Sequence, residues 1–294
     1  MDMQDIKLIC DSLERILQDA PLEGIDRDGG TGDTAAQLWS ALEESGFALM
    51  AVSEEDGGLG ASLADCLPIA SLCGQCALPA PLVDDLCARA ICSSAGLEPG
   101  TGRLGMLISD RGSAYLAHGL QVEQALHFEA GQCRLIAIES DALSPFERGE
   151  DGGAILDLDK ARVIAETDAP NWLSEQTYRA LGAAFRSAQM AGAMRAILDI
   201  TLKYTSEREQ FGRPLAKFQA VQQLLSDMAC ETAAAAAVIE LVGDALRADP
   251  LVGGQALSEI AAAKVRCGSA AEIVAANAHQ AHGCLLYTSD AADE

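Results

Sequence analysis

The residues best placed to do chemistry lie between Tyr204 and Gln219, in the string YTSEREQFGRPLAKFQ. Arg208, Arg213 and Lys217 fall close together there. Cationic donors held at a fixed corner are what a phosphate group needs. The local chemistry predicts such a corner. Glycine is favoured just past a helix end, and Pro214 cannot continue a helix but suits the first turn of the next one. The spacing therefore predicts a helix ending near Phe211-Gly212 and a second helix starting at about Pro214. On periodicity alone the plainer reading is favoured, an antiparallel helix hairpin with solvated basic residues.

The elements that must position this corner follow from hydrophobic period. Ser174 to Arg208 reads as one long helix, with Leu181, Phe185, Ala188, Gly192 and Ile197 along one face. Small residues at Gly182, Ala183, Ala184, Gly192 and Ala193 permit close helix contact. A second helix runs to about Ala248, and a third covers Gln255 to Ala278 after a Pro-Leu-Val-Gly-Gly turn. Three long helices with short connections make an antiparallel bundle.

Upstream, residues 4–18 carry Ile6, Ile9, Leu13 and Ile16 at helical spacing. After the turn-rich EGIDRDGGTGD, Asp33 or Thr34 can cap a second helix that stops at Gly46. Gly57, Gly58 and Gly60 imply a tight loop, and Ser62 can cap the helix that follows it. Pro79 and Pro81 interrupt the helices before about Ala95. Between 100 and 166 the short runs GRLGMLIS, SAYLAHG, VEQALHF, CRLIAIES and GAILDLD read as a small antiparallel β region. The fold class expected is mainly α with a small β insert. Its parts are an N-terminal helical domain (1–99), a small β domain (100–168), a C-terminal helical bundle (169–283) and a tail (284–294).

Composition narrows the function. The formal net charge of −24 lacks the basic footprint that nucleic-acid binding requires. With 49% hydrophobic residues the chain is not of the disordered class. No apolar run reaches the roughly 20 residues of a membrane span, and the acidic N-terminus MDMQDIKLIC is unlike a signal peptide. These features predict a soluble, cytoplasmic protein. The ten cysteines are scattered without a compact framework, and the Cys73-x-x-Cys76 pair has no matching second pair, so they read as reduced core residues and not as a metal site. His118 and His127 have no spacing that suggests a site, and read as surface or half-buried side chains.

The string Arg208-Glu209-Gln210-Phe211-Gly212-Arg213-Pro214, followed by Phe218-Gln219-Ala220-Val221-Gln222 and Ser226-Asp227-Met228, resembles the RxxFGxxL…FQ…Q…ADM signature of acyl-CoA dehydrogenases. The upstream pattern W..L.ESGF…VSEEDGGLG.SL.D resembles the N-terminal helical domain of the same family. The resemblance implies FAD as cofactor, an acyl-CoA thioester as substrate, an electron-transfer flavoprotein or similar acceptor, and a homo- or hetero-oligomer built on the bundle. By motif position it implies that Arg208 places charge on the ADP pyrophosphate, that Phe211 packs near the adenosine and that Gln219 supplies a hydrogen bond, with Gly212 among the cofactor-binding residues. Gln280 and Gly283, in HQAHG, match the start of the Q-x-x-G-G loop that touches the same moiety. These contacts reach the flavin of a neighbouring subunit in the family.

Other parts of the family pattern are missing. The Thr-Gly-x-Lys and Trp-x-Thr/Ser segments that meet the flavin ring are not found, and Trp172 lies too late to replace that Trp. In most of the family the proton-abstracting base is a Glu well beyond the Gly-Gly loop. In a minority it stands at the position of Gly182 here. After Gly283 the tail CLLYTSDAADE resembles translated sequencing-adaptor DNA, so 284–294 is expected to be non-native and the bundle incomplete. The function expected is flavin-dependent α,β-dehydrogenation of an acyl-CoA in a chain lacking the catalytic Glu. The alternative is a non-catalytic partner subunit of a heteromeric acyl-CoA dehydrogenase.

Overall fold

The computed structural model describes residues 3–19, 33–110, 113–146, 152–250 and 252–283. Most of the predicted turn EGIDRDGGTGD, the side chains of the two candidate caps Asp33 and Thr34, and the tail 284–294 lie outside them.

Helix α1 (Met3–Asp19) follows its apolar period: Ile6, Leu13 and Leu17 are buried, with Ile9 and Ile16 packed on the same core. Helix α2 (Asp33–Glu44) ends ahead of Gly46, which sits at φ 74° in the left-handed region. Ser62 caps α3 (Leu63–Gln75) reciprocally. Its hydroxyl accepts from Asp65 N, and Asp65 Oδ2 accepts from Ser62 N, so two donors at the helix start are satisfied together. In the preceding loop Gly58 is required by close approach, because a Cβ there would lie 2.2 Å from Val52 O. Helix α4 (Leu82–Ala95) starts after the prolines.

Seven strands follow: β1 (Leu104–Asp110), β2 (Ser113–Leu116), β3 (Gln124–Glu129), β4 (Gln132–Ala137), β5 (Leu143–Pro145), β6 (Ala154–Leu156) and β7 (Arg162–Asp168). They form one sheet in the order β5-β6-β2-β1-β3-β4-β7. The sheet is mixed and not purely antiparallel as its short runs suggested, because β1 and β3 pair in parallel with Leu107 opposite His127. The β1–β2 hairpin fills one edge of β1, so the chain returns across 117–123 to the other edge and runs alongside β1. Both sheet faces are covered at this centre. Met106, Leu126 and Leu135 join the main core, while Leu107, Ala125 and Ile136 join a second cluster on the opposite face. Strands buried on both sides read as continuous apolar runs, not as alternation.

The bundle consists of α5 (Glu175–Glu207), α6 (Gln219–Ala248) and α7 (Gly254–Ala281). Ser174 caps α5 by accepting from Thr177 N. One contiguous core joins α1 to α4, the inner sheet face and the bundle residues Leu181, Phe185, Val242 and Ile260. Two polar anchors fix the joints. The Tyr178 hydroxyl donates to Leu126 O at 2.6 Å, which ties α5 to the sheet. The Asp85 carboxylate accepts from Leu104 N at 2.6 Å and from Arg89 Nε at 2.7 Å, which ties α4 to the start of β1. Where α3 crosses α5 the backbones touch through glycine: a Cβ on Gly192 would meet Ser71 O, and one on Gly74 would meet Gln189 O. No described helix is long and apolar enough to cross a membrane.

Candidate cofactor site

The corner at Tyr204–Gln219 is built differently from its expected form. Helix α5 stops at Glu207, four residues earlier than the glycine signal indicated, with Arg208 N still donating to Tyr204 O at 2.9 Å. Two short strands follow, β8 (Glu209–Gln210) and β9 (Arg213–Pro214), joined by Phe211 at φ 53° and Gly212 at φ 77°. Two central residues at positive φ make the tight turn whose twist matches a hairpin. Gly212 is therefore a hairpin residue, and Pro214 lies in β9, not in the first turn of the next helix. A short 3-10 turn, Leu215–Lys217, leads into α6. Leu215 N donates to Arg208 O at 2.9 Å and closes the hairpin on the end of α5.

Aromatic contacts stiffen this unit. The Arg213 guanidinium lies 4.1 Å from the centroid of the Phe218 ring, and Phe211 meets Phe218 edge-on at 6.3 Å. Phe211 itself is 91% exposed at the tip. Phe218 precedes α6 and offers no side-chain cap, so the first N–H groups of α6 remain open to an anion. Gln219 is the first residue of α6 and is exposed.

Because the three helices run antiparallel, the end of α7 arrives at the same place. His282 stacks on Tyr204 with ring centroids 4.2 Å apart. Gln280 and Gly283 flank His282, and both are exposed. Arg208, Phe211, Gly212, Gln219, Gln280 and Gly283 thus all lie at one end of the bundle, with Lys203, Arg213 and Lys217 beside them. The Tyr204–His282 stack was not anticipated from sequence. Its only local sign is that Tyr204 stands one helical turn before Arg208.

The opposite half of α5, which rests on the sheet, carries other chemistry. Gly182 faces open space. Its helical neighbours on that side are Arg179, bonded to Ser109 O and ion-paired with Glu175 at 3.2 Å, and Arg186, ion-paired with Asp84 at 3.4 Å. The Trp172 ring N–H donates to Ser94 Oγ at 3.0 Å and so is tied to α4. His118 and His127 are both buried, at 6% and 2% exposure, contrary to the surface or half-buried reading. The continuous apolar run around His127 carries it into the interior, where its Nε2 lies 3.2 Å from Ser109 Oγ and burial lowers its pKa. The nine described cysteines are free, and burial pushes the Cys73 thiol well up from its ordinary value. No group of three metal-ligating side chains occurs among the described residues. A cleft of about 750 Å³ between α3, α5 and α6, floored by Leu67, Ala191, Thr232 and Ile239, contains none of the six motif residues.

A helical layer, a central sheet and a C-terminal helix bundle, in that order, define the acyl-CoA dehydrogenase type of fold. Residues 180–293 match the family model "Acyl-CoA dehydrogenase, C-terminal domain". The acyl-CoA dehydrogenase IpdE2 of Mycobacterium tuberculosis is 29% identical over 260 residues, covering 85% of this chain and 76% of that protein. A variant of the Tcur3481-Tcur3483 steroid ACAD superposes with a TM-score of 0.76 at 20% identity, covering 96% of this chain and 88% of the other. The ChsE4-ChsE5 complex from Mycobacterium tuberculosis gives 0.74 at 16% identity, with coverages of 97% and 88%. Residues 180–293 thus match the C-terminal domain of acyl-CoA dehydrogenases, and most of the chain is similar in sequence to a member of that family.

Proposed function

We propose that this chain serves the FAD-dependent α,β-dehydrogenation of an acyl-CoA thioester as one subunit of an oligomer. In this reading it lends the end of its bundle to the ADP portion of a flavin held against a neighbouring chain. One observation carries it: a structured hairpin, flanked in sequence by Arg208 and closed by Arg213, holds Phe211 at positive φ and in solvent. A bulky residue in that conformation is costly, and backbone strain of this kind concentrates at ligand-contacting positions. The donor set suits a dinucleotide. Arg208 would meet the pyrophosphate charge, with the open N–H groups of α6 beside it. Phe211 and Gly212 would pack by the adenosine, and the Gln219 and Gln280 amides and Gly283 would line the same moiety. All of these face outward, so one chain furnishes only part of an enclosure.

When bound, FAD supplies the acceptor for the hydride that leaves the β-carbon. The proton from the α-carbon needs a carboxylate base. The face of α5 around Gly182 carries two guanidiniums, whose carboxylate partners Glu175 and Asp84 are already engaged. That arrangement favours a second reading, a non-catalytic partner subunit in a heteromer whose base and flavin ring site belong to the other chain. Two fold neighbours are named for pairs of chains, Tcur3481-Tcur3483 and ChsE4-ChsE5, which agrees with it. An electron-transfer flavoprotein or similar carrier is the proposed acceptor for the assembly.

The test is flavin content. The chain is purified alone and after co-expression with a second acyl-CoA dehydrogenase chain, and flavin absorbance and acyl-CoA-dependent dye reduction are read for each. Flavin and turnover gained only on assembly are the expected result. Stoichiometric flavin with turnover in the homo-oligomer would make this chain catalytic by itself. No flavin in any assembly would remove both readings.

A further inference from the structure

We infer that the stacked rings of Tyr204 and His282 are a positioning clamp that holds the two halves of the ADP-contacting surface in register, an inference that rests on the cofactor reading above. The surface is assembled from separate helix ends. Arg208, Phe211 and Gly212 follow α5, whereas Gln280 and Gly283 sit at the end of α7. Tyr204 and His282 join these ends through rings 4.2 Å apart and inclined by only 18°.

Each ring is wired to the groups it would position. The Tyr204 carbonyl accepts the Arg208 N–H at 2.9 Å, so the residue that stacks also closes α5 on Arg208. On the other side His282 N donates to Ala278 O at 3.0 Å and Gly283 N donates to Gln280 O at 3.1 Å, so the ring belongs to the turn that carries both residues. The buried residues of α7 nearest this end are Ala278 and Ala281. Methyl groups interdigitate shallowly and resist sliding or rotation of α7 less than a large side chain would. The Tyr204–His282 stack adds a ring-on-ring contact between α5 and α7 at this end.

The experiment is a calorimetric titration with ADP of the assembled oligomer, this chain with its co-expressed partner, in parallel with hydrogen exchange at the Arg208 and Gly283 amides, for the wild type, Tyr204→Leu and Tyr204→Phe. Losing the stack in Tyr204→Leu is expected to weaken ADP binding about three- to tenfold, the range that corresponds to an aromatic pair. Exchange at both amides should quicken while the global unfolding midpoint stays in place. Tyr204→Phe keeps the ring and should bind ADP within about twofold of wild type. His282→Ala, at an accessible helix end, makes the same comparison if Tyr204→Leu does not fold. Unchanged ADP affinity in Tyr204→Leu, against a wild type that binds ADP, overturns the clamp and leaves the cofactor reading standing. A loss that Tyr204→Phe shares assigns the effect to the hydroxyl and also overturns the clamp. A wild-type assembly that does not bind ADP overturns the cofactor reading and the clamp with it.

Discussion

Replacing Gly192 with alanine tests how the N-terminal helical layer is joined to the bundle. The new Cβ would lie 1.8 Å from Ser71 O, 2.7 Å from Ser71 C and 2.9 Å from Gln75 N. Ordinary contact begins near 3.4 Å, so α3 and α5 must part by roughly 1.6 Å along that direction. The obstacle is backbone on a rigid helix and cannot swing aside. Alanine gains about 1 kcal/mol over glycine inside a helix, whereas overpacking a close contact costs about 1–3 kcal/mol. A displacement this large lies at the upper end, leaving Gly192→Ala destabilised by about 2 kcal/mol, or ~4–8 °C in melting temperature for a chain of this size. Gly74→Ala meets Gln189 O at 1.9 Å across the same crossing and should cost a similar amount. The double variant should cost less than the sum, because the first substitution has already separated the helices. Gly182→Ala is the internal control: nothing lies within 4 Å of its Cβ, so it should stabilise by ~0.5–1 kcal/mol. Urea midpoints for the four variants decide the matter. A Gly192→Ala midpoint equal to or above that of wild type would refute the reasoning.

Other expectations concern the joints and the exposed tip. Burial raises the Asp85 carboxyl from 3.8 to about 6, against the opposing pull of Arg89 and the Leu104 N–H. The folded chain therefore holds this proton more tightly than the unfolded one, so the contribution of Asp85 to stability falls as pH rises from about 4 to 6 and is level above that, a span of ~3 kcal/mol. The difference in unfolding free energy between wild type and Asp85→Asn, followed across pH 4 to 7, should show this slope, and a flat difference would contradict it. Asp85→Ala at neutral pH leaves a buried Arg89 and the Leu104 N–H without their acceptor and should cost about 3–5 kcal/mol by urea unfolding. Ser62→Ala removes one half of the α3 capping box and should lower stability by about 1 kcal/mol, read as a melting shift of ~2–4 °C. Phe211→Ser should leave stability within about 0.5 kcal/mol, since the ring is almost wholly in solvent, yet reduce the flavin retained by the assembled oligomer.

Features set by neighbours in the chain were legible in the sequence. The Ser62-x-x-Asp65 cap, the helix start at Ser174 and the long apolar periods of α1 and α5 depend on bonds within a turn or two, and the residue types disclose them. Glycine also disclosed the α3–α5 approach from the α5 side, since a small residue on a buried helix face has few other uses. The motif around Arg208 was legible as a string but not as a shape. Phe at the first position of a tight hairpin is not a turn signal, so Gly212 read as a helix cap, and only the closure of Leu215 onto Arg208 selects the hairpin.

What the tertiary structure alone decided involves partners distant in sequence. The parallel pairing of β1 with β3 follows from β2 already occupying the other edge, which no local propensity encodes. His127 is buried because its strand is covered on both faces by elements that lie elsewhere in the chain. Gly74 and Gly192, and likewise Tyr204 and His282, become neighbours only when whole helices dock. By itself, the sequence named the residues proposed to meet an anionic cofactor. The antiparallel course of three helices decided that they share one end of the bundle and are exposed there, because packing geometry, not local chemistry, sets which helix ends meet.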